Sequence, residues 1–285
     1  MEERQVGAWH YLDASGYSRL LGTPRLPQLW GSVARTALLG RLMWHVGKVI
    51  ALHNETATAR TITLEVADWP VHVAGQHVDV RLTAPDGYSA VRSYSIASAP
   101  NYEGRVDLTV ERLPNGEVSP YLTQELAVGD RLELRGPIGG WFVWRTHQTE
   151  PIQLVAGGSG IVPLMSMIRS RASAGGAAPF RLLYSVREPQ AVFYREELQA
   201  LSDHDRSMNL TYAYTRVAPK DWPRPPSRID AALIANTTWP SKLVPTCYVC
   251  GPTSFVESAS RLLTASGNDP QKIRTERFGP TGEQQ

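Results

Sequence analysis

Cysteine is nearly absent from this chain. Two thiols, Cys247 and Cys250, in 285 residues cannot build a disulfide framework, so a reducing compartment is the default. They stand in a CxxC spacing, yet no second pair and no histidine cluster completes a zinc site, and no metal is expected. A charge excess of either sign is also lacking: a net +2 gives no bulk electrostatic case for a nucleic-acid or membrane partner. Long apolar runs are missing too, since the most apolar early segment, 33–52, is broken by Arg35, Arg41 and Lys48. The start, Met1-Glu2-Glu3-Arg4, lacks the n-region and apolar h-region of a secretory signal. These absences predict a soluble, cytoplasmic protein. There is no internal repeat and no low-complexity tract.

The residues present, 42% hydrophobic and 20% charged, are those of a globular chain long enough for two domains. Residues 1–44 read as an N-terminal arm of loops and short turns, with a short amphipathic helix at 33–46. From 45 to 147 the pattern is β. Strands are predicted at 48–54, 59–67, 77–83, 92–97, 105–112 and 131–134, and turn-formers such as Pro85-Asp86-Gly87 and Asn115-Gly116 separate them. Six short strands with no long helix suggest a closed antiparallel barrel. From 148 to 285 the period changes. Strands at 152–156, 180–186, 210–215 and 246–249 alternate with helices at 162–174, 194–201, 228–235 and 254–266, which implies an α/β domain with a parallel sheet and helices on both faces. A Pro-rich stretch, 219–226, marks a surface loop.

Three stretches carry chemistry. Val155-Ala156-Gly157-Gly158-Ser159-Gly160-Ile161-Val162-Pro163 joins a buried strand to a helix. Its glycines permit a sharp turn and close ligand approach, and the helix start offers amides at the positive end of a dipole. That suits a phosphate-bearing ligand, and an ordinary strand-to-helix turn reads the same way. Arg92-Ser93-Tyr94-Ser95 combines a guanidinium fork, a flat aromatic face and a hydroxyl, with Arg92 and Tyr94 on one face of a strand and Ser93 and Ser95 on the other. An edge strand with ordinary polar residues fits as well. In Gly116-Glu117-Val118-Ser119-Pro120, Ser119 suits an N-cap and Pro120 the first helical position, a second helix start able to hold a phosphate.

These motifs, followed by Cys250-Gly251-Pro252 and Glu276-Arg277-Phe278, stand in the order found in the ferredoxin–NADP(+) reductase family, which the chain resembles from about 45 to 282. The resemblance implies a flavin-binding barrel followed by a nucleotide-binding α/β domain, and an FAD-dependent NAD(P)H reductase, with FMN the lesser alternative. It assigns the flavin pyrophosphate to Arg92 and to the Gly116, Val118, Ser119 helix start. Ser93 and Tyr94 would lie in the same flavin site, with Tyr94 against the ring system and ribityl chain, and Ser95 would hydrogen-bond near flavin N5, where hydride arrives. Gly157, Gly158, Gly160 and Pro163 would hold the nicotinamide nucleotide's pyrophosphate. Cys250, with Gly251 and Pro252, would lie beside nicotinamide C4, and Glu276 and Phe278 by the flavin and nicotinamide. Ser95, Cys250 and Glu276 are the catalytic candidates. Gly279 and the residues after it continue past Phe278, as in the branch with a Phe-Gly-Pro ending. Cys247 reads as a buried, inert thiol.

Cofactor choice is read near the end of the second α/β strand, where Ser185 and Arg187, with Arg195, point to NADPH, while Glu188 argues for NADH. Some relatives carry a fused [2Fe–2S] domain with a CxxxxCxxC pattern, and two cysteines do not supply one. The expected acceptor is therefore separate: a small iron–sulfur or haem protein such as a ferredoxin, or an oxygenase or molybdenum component. Arg41 and Lys48 suit an acidic partner, or simply a solvated basic face. Two alternatives remain at this stage, a flavin or quinone reductase with a diffusible acceptor, and a non-catalytic flavin-binding assembly subunit.

Overall fold

Alternating Val, Ile, Leu and Thr in residues 44–138 build strands because branched side chains pack well on one face of a pleated sheet. In the computed structural model, which describes residues 42–176 and 178–279, six such strands form: β1 (Trp44–Asn54), β2 (Ala59–Val66), β3 (His77–Thr83), β4 (Ser89–Ser95), β5 (Arg105–Glu111) and β6 (Arg131–Ile138). They pair antiparallel in the order β4-β3-β6-β1-β2-β5, and an Ile96–Leu108 bridge joins the two ends. The sheet is thereby closed, as the strand count suggested. Its interior is filled by Ile62, Leu64, Val80, Leu108 and Leu134, all with no exposed surface.

The helix predicted at 33–46 is corrected at its end. Residues 1–41, which hold the rest of it and most of the arm, lie outside the described residues, as does Arg41. Trp44, His45 and Val46 are strand, paired with Arg135, Leu134 and Glu133 of β6. Pairing satisfies their backbone, and the Arg81 and Arg135 guanidinium groups lie 4.2 and 4.9 Å from the Trp44 ring.

Beyond residue 151 five parallel strands form: β7 (Ile152–Gly157), β8 (Phe180–Val186), β9 (Met208–Tyr214), β10 (Thr246–Pro252) and β11 (Ile273–Phe278). The helices are α1 (Ile161–Ser173), α2 (Arg195–His204), α3 (Ala231–Thr237) and α4 (Thr253–Ala265). Alternation along the strands divides the core. Leu154 and Leu182 pack with Leu164 and Ile168 of α1 on one face, while Val155 and Leu183 pack with Ile234 of α3 and Val256 of α4 on the other. Cys250 and Cys247 are likewise on opposite faces and both buried. No helix among the described residues is long and apolar enough to cross a membrane.

The sheet order is β11-β10-β7-β8-β9. The chain leaves β7 in one direction to make β8 and β9, then returns to lay β10 on the other side of β7. A crevice opens where the order reverses, at the carboxyl ends of β7 and β10. The 157–160 turn and the Cys250-Gly251 pair stand there.

Candidate functional site

The glycines of the 157–160 turn have two different reasons to be glycine. A Cβ on Gly157 would lie 2.6 Å from the Phe255 ring, and one on Gly251 2.7 Å from it. A Cβ on Gly160 would lie 2.1 Å from the Cys250 carbonyl oxygen, closer than any side chain tolerates. These three let β7, β10 and α4 meet at the crevice. Gly158 is different: its φ is +54° and nothing lies within 4 Å of where its Cβ would stand. The turn therefore presents open space at Gly158, directly ahead of α1, whose first amides receive no side-chain cap. A phosphate fits that donor set. Pro163 is buried in the first turn of α1, where its missing amide costs nothing.

The barrel side presents a second cradle. Arg92 is half-exposed at the middle of β4, opposite Val80 in register. Its guanidinium is held by the Glu117 carboxylate, which also accepts a 3.1 Å hydrogen bond from the Tyr88 hydroxyl. The motif residues Arg92 and 116–119 are thus together. Ser119 does not cap a helix as predicted. It lies inside the helical backbone that runs into a π turn (Tyr121–Glu125), and its buried hydroxyl accepts the Leu113 amide at 3.0 Å. A Cβ on Gly116 would meet that hydroxyl at 2.7 Å, which explains the glycine. The amides of Val118 and Ser119 donate to no acceptor among the described residues. A guanidinium with two free amides fits a pyrophosphate, and Glu117 is the competing group already there.

Faces alternate along β4 as expected. Tyr94 packs against the barrel core and burial pushes its hydroxyl up to about 12. Ser93 turns the other way and donates to Asp79 at 2.7 Å, which in turn accepts from Arg135 at 2.6 Å, so the Ser93 hydroxyl is committed elsewhere.

Ser95, Cys250 and Glu276 come together, although the three lie on separate strands of both halves. The Ser95 hydroxyl donates to Glu276 Oε1 at 3.2 Å. Glu276 sits opposite Cys250 in the β10–β11 register. Burial pushes the Glu276 carboxyl up to about 7 despite the Ser95 hydrogen bond. Burial, with the Glu276 carboxylate, also pushes the Cys250 thiol far above its usual range, so Cys250 offers a neutral, apolar surface rather than a thiolate. Cys250 lies inside β10, which runs on to Pro252, rather than beyond the strand. Phe278 ends β11, opposite Pro252, and is 38% exposed.

Ser185 is buried at the end of β8, in register with Gly157, and Arg187 is exposed just past it. Arg195 stands apart, lining an open groove of about 840 Å³ between α2 and β9 with Tyr212, Tyr214 and Trp222. Sequence reading overlooked Phe255, whose position on the first turn after Cys250-Gly251-Pro252 was the available signal, and Glu117, which stood inside a quoted motif.

Residues 46–143 match the oxidoreductase FAD-binding domain, and residues 154–261 match the oxidoreductase NAD-binding domain. One relative, the ferredoxin–NAD(P)(+) reductase component of naphthalene 1,2-dioxygenase/salicylate 5-hydroxylase systems from Ralstonia sp, is 28% identical over 83% of this chain and 69% of its own. A glycine betaine monooxygenase reductase subunit from Chromohalobacter salexigens is also 28% identical, over 83% of this chain and 65% of its own. The chain thus spans about two thirds of the length of these relatives. Among solved structures, the flavohem-like FAD/NAD-binding domain of nitric oxide dioxygenase from Vibrio cholerae shares the fold. Its TM-score is 0.73 at 23% identity, over 84% of this chain and 100% of that one.

Proposed function

The chain belongs to the ferredoxin–NADP(+) reductase-like family of FAD- and NAD(P)-binding oxidoreductases, and from that premise we propose that it carries electrons from NADPH through FAD to a separate acceptor protein. The acceptor is an iron–sulfur, haem, oxygenase or molybdenum component; the two reductase relatives are named as parts of oxygenase systems. The observation that carries this reading is the Ser95–Glu276 hydrogen bond, in which the carboxyl end of the barrel's β4 touches the carboxyl end of the α/β sheet. Residues 45–147 and 148–285 divide the work as a flavin domain and a nucleotide domain.

Arg92 and the Val118 and Ser119 amides would hold the flavin pyrophosphate, with Tyr94 against its ring. The 157–160 turn and the start of α1 would hold the nicotinamide nucleotide, and Arg187 its 2′-phosphate. The chemistry supplied when both are bound is two-electron transfer from nicotinamide to flavin and release of the electrons one at a time. No side chain need act as a nucleophile. Ser95 and Glu276 place a hydroxyl and a carboxyl at the junction of the two halves, and Cys250 keeps water from one side of it.

Stopped-flow reduction of the FAD-loaded protein by NADPH and by NADH, followed by candidate acceptors, tests this. Reduction should be rapid with NADPH and reoxidation rapid with one protein acceptor. If neither nucleotide reduces the flavin, the reading is wrong. If only small quinones or free flavin accept the electrons, the acceptor assignment is wrong. Ser95→Ala should slow reduction more than it weakens flavin binding.

A further inference from the structure

Two side chains that grip the barrel from the α/β half have no part in the chemistry above. Arg169, on α1, forks onto both oxygens of Glu197 at 2.8 and 2.7 Å. Its remaining nitrogen reaches across to the barrel, donating to the Ala97 carbonyl at 3.0 Å and lying 3.5 Å from Asp107. One turn earlier on α1, Ser166 donates to the Ser98 carbonyl at 2.7 Å. Ala97 and Ser98 follow Ser95 by two and three residues. Helix α1 thus runs from the nucleotide-side glycine turn to the backbone just past the flavin-side serine.

Tyr194 makes the second grip. It is buried, with a φ of 53° that non-glycine residues seldom adopt and that persists only where surroundings over-determine it. The surroundings are plain. Its amide donates to Glu55 of the barrel at 2.9 Å, and its hydroxyl donates to Thr109 on β5. Thr109 shares a 2.7 Å hydrogen bond with Thr61, which donates to the other oxygen of Glu55 at 2.6 Å. The loop closes on itself, so every polar group in it is satisfied. The Arg169 guanidinium lies 5.0 Å from the Tyr194 ring and ties the two grips together.

We propose that Arg169 and Tyr194 are positioning residues that fix the α/β half on the barrel so that Glu276 meets Ser95, and thereby set the separation of the two bound cofactors. This rests on the function proposed above. The test uses the full chain carrying Tyr194→Phe, which removes only a hydroxyl, together with Arg169→Lys and Arg169→Ala. In the FAD-loaded proteins, flavin content and NADPH Kd should stay within about twofold of wild type, because neither residue touches either cradle. The limiting rate of flavin reduction at saturating NADPH should fall about tenfold in R169A and about threefold in Y194F, with R169K between, since small displacements at a reacting centre are costly. Independently of turnover, hydrogen exchange at the Ile96 and Ala97 amides, bonded to Gln76 and Asp107, should quicken about tenfold in flavin-free R169A. An unchanged limiting rate, a rate loss that merely follows flavin loss, or unchanged exchange at 96–97 overturns the proposal. Should wild type itself resist reduction by both nucleotides, the functional reading fails, and the exchange measurement still decides whether Arg169 holds this segment.

Discussion

Glu276 gives the sharpest quantitative handle on this site. Its carboxyl is pushed from an ordinary 4.5 up to about 7 by burial, and the Ser95 hydroxyl that donates to it only partly opposes that. No cationic side chain among the described residues pairs with it. In the unfolded chain the same carboxyl ionises near 4.5. Below that pH both states hold the proton and the contribution of Glu276 to stability is fully present. As pH rises from 4.5 to about 7, the unfolded chain releases its proton first, so the folded state loses stability relative to it; above pH 7 the loss is complete. The interval from 4.5 to about 7 corresponds to about 3 kcal/mol. Because the residue is only half-buried, solvent screening reduces this to about 1–2 kcal/mol.

Glu276→Gln removes the titration while keeping an amide oxygen to accept from Ser95. The flavin-free variant should therefore unfold at nearly the wild-type temperature at pH 5 and roughly 4 °C higher at pH 8, given about 2–4 °C per kcal/mol for a chain of this size. Thermal unfolding by circular dichroism at the two pH values measures it. A difference of equal size at both would refute the burial argument. In the loaded protein, the rate of flavin reduction should show an inflection near pH 7 in wild type that is missing in the variant.

Other expectations follow from the same geometry. Glu117 competes for Arg92 at a half-exposed pair, worth about 0.2–1 kcal/mol, so Glu117→Gln should tighten FAD binding about two- to fivefold in a fluorescence titration; weaker binding would count against Arg92 as the pyrophosphate ligand. Arg187→Ala should lower NADPH affinity roughly tenfold and leave NADH unchanged, as expected when a charge-assisted contact to phosphate is lost. Gly160→Ala places a methyl 2.1 Å from the Cys250 carbonyl oxygen and should cost about 3 kcal/mol in urea unfolding. Gly158→Ala meets open space and should cost about 1 kcal/mol, the strain of a left-handed alanine.

What was legible in the sequence is what has a local signature. Alternation such as Val78-Asp79-Val80-Arg81-Leu82 revealed the barrel strands, and the change of period after residue 151 revealed the α/β half. Strand β11 was missed because five of its six residues keep some exposure and most are polar; it is a strand only because β10 supplies a partner at every register position. Ser119 looked like a cap because Ser-Pro ahead of an apolar run has that meaning locally, while the Leu113 amide that claims its hydroxyl enters only once the hairpin folds back. The glycines of the 157–160 turn stand out in the sequence as a cluster, but the packing that two of them allow does not. Gly157 and Gly160 are required by Phe255 and by the Cys250 carbonyl, partners 90 or more residues away in sequence.

The same limit governs the grips at the domain junction. Tyr194 and Arg169 sit in stretches that read simply as helix starts and helix interiors, and their partners Glu55 and Asp107 lie on barrel strands or turns far off in sequence. Side chains that would touch a cofactor declare themselves by type and order, because phosphate and aromatic recognition constrain both. Side chains that hold two halves in register are constrained only by reach, and almost any donor and acceptor pair would serve. The left-handed backbone at Tyr194 is the mark this contact leaves on its own chain, a conformation held by the bonds its amide and hydroxyl make to the barrel.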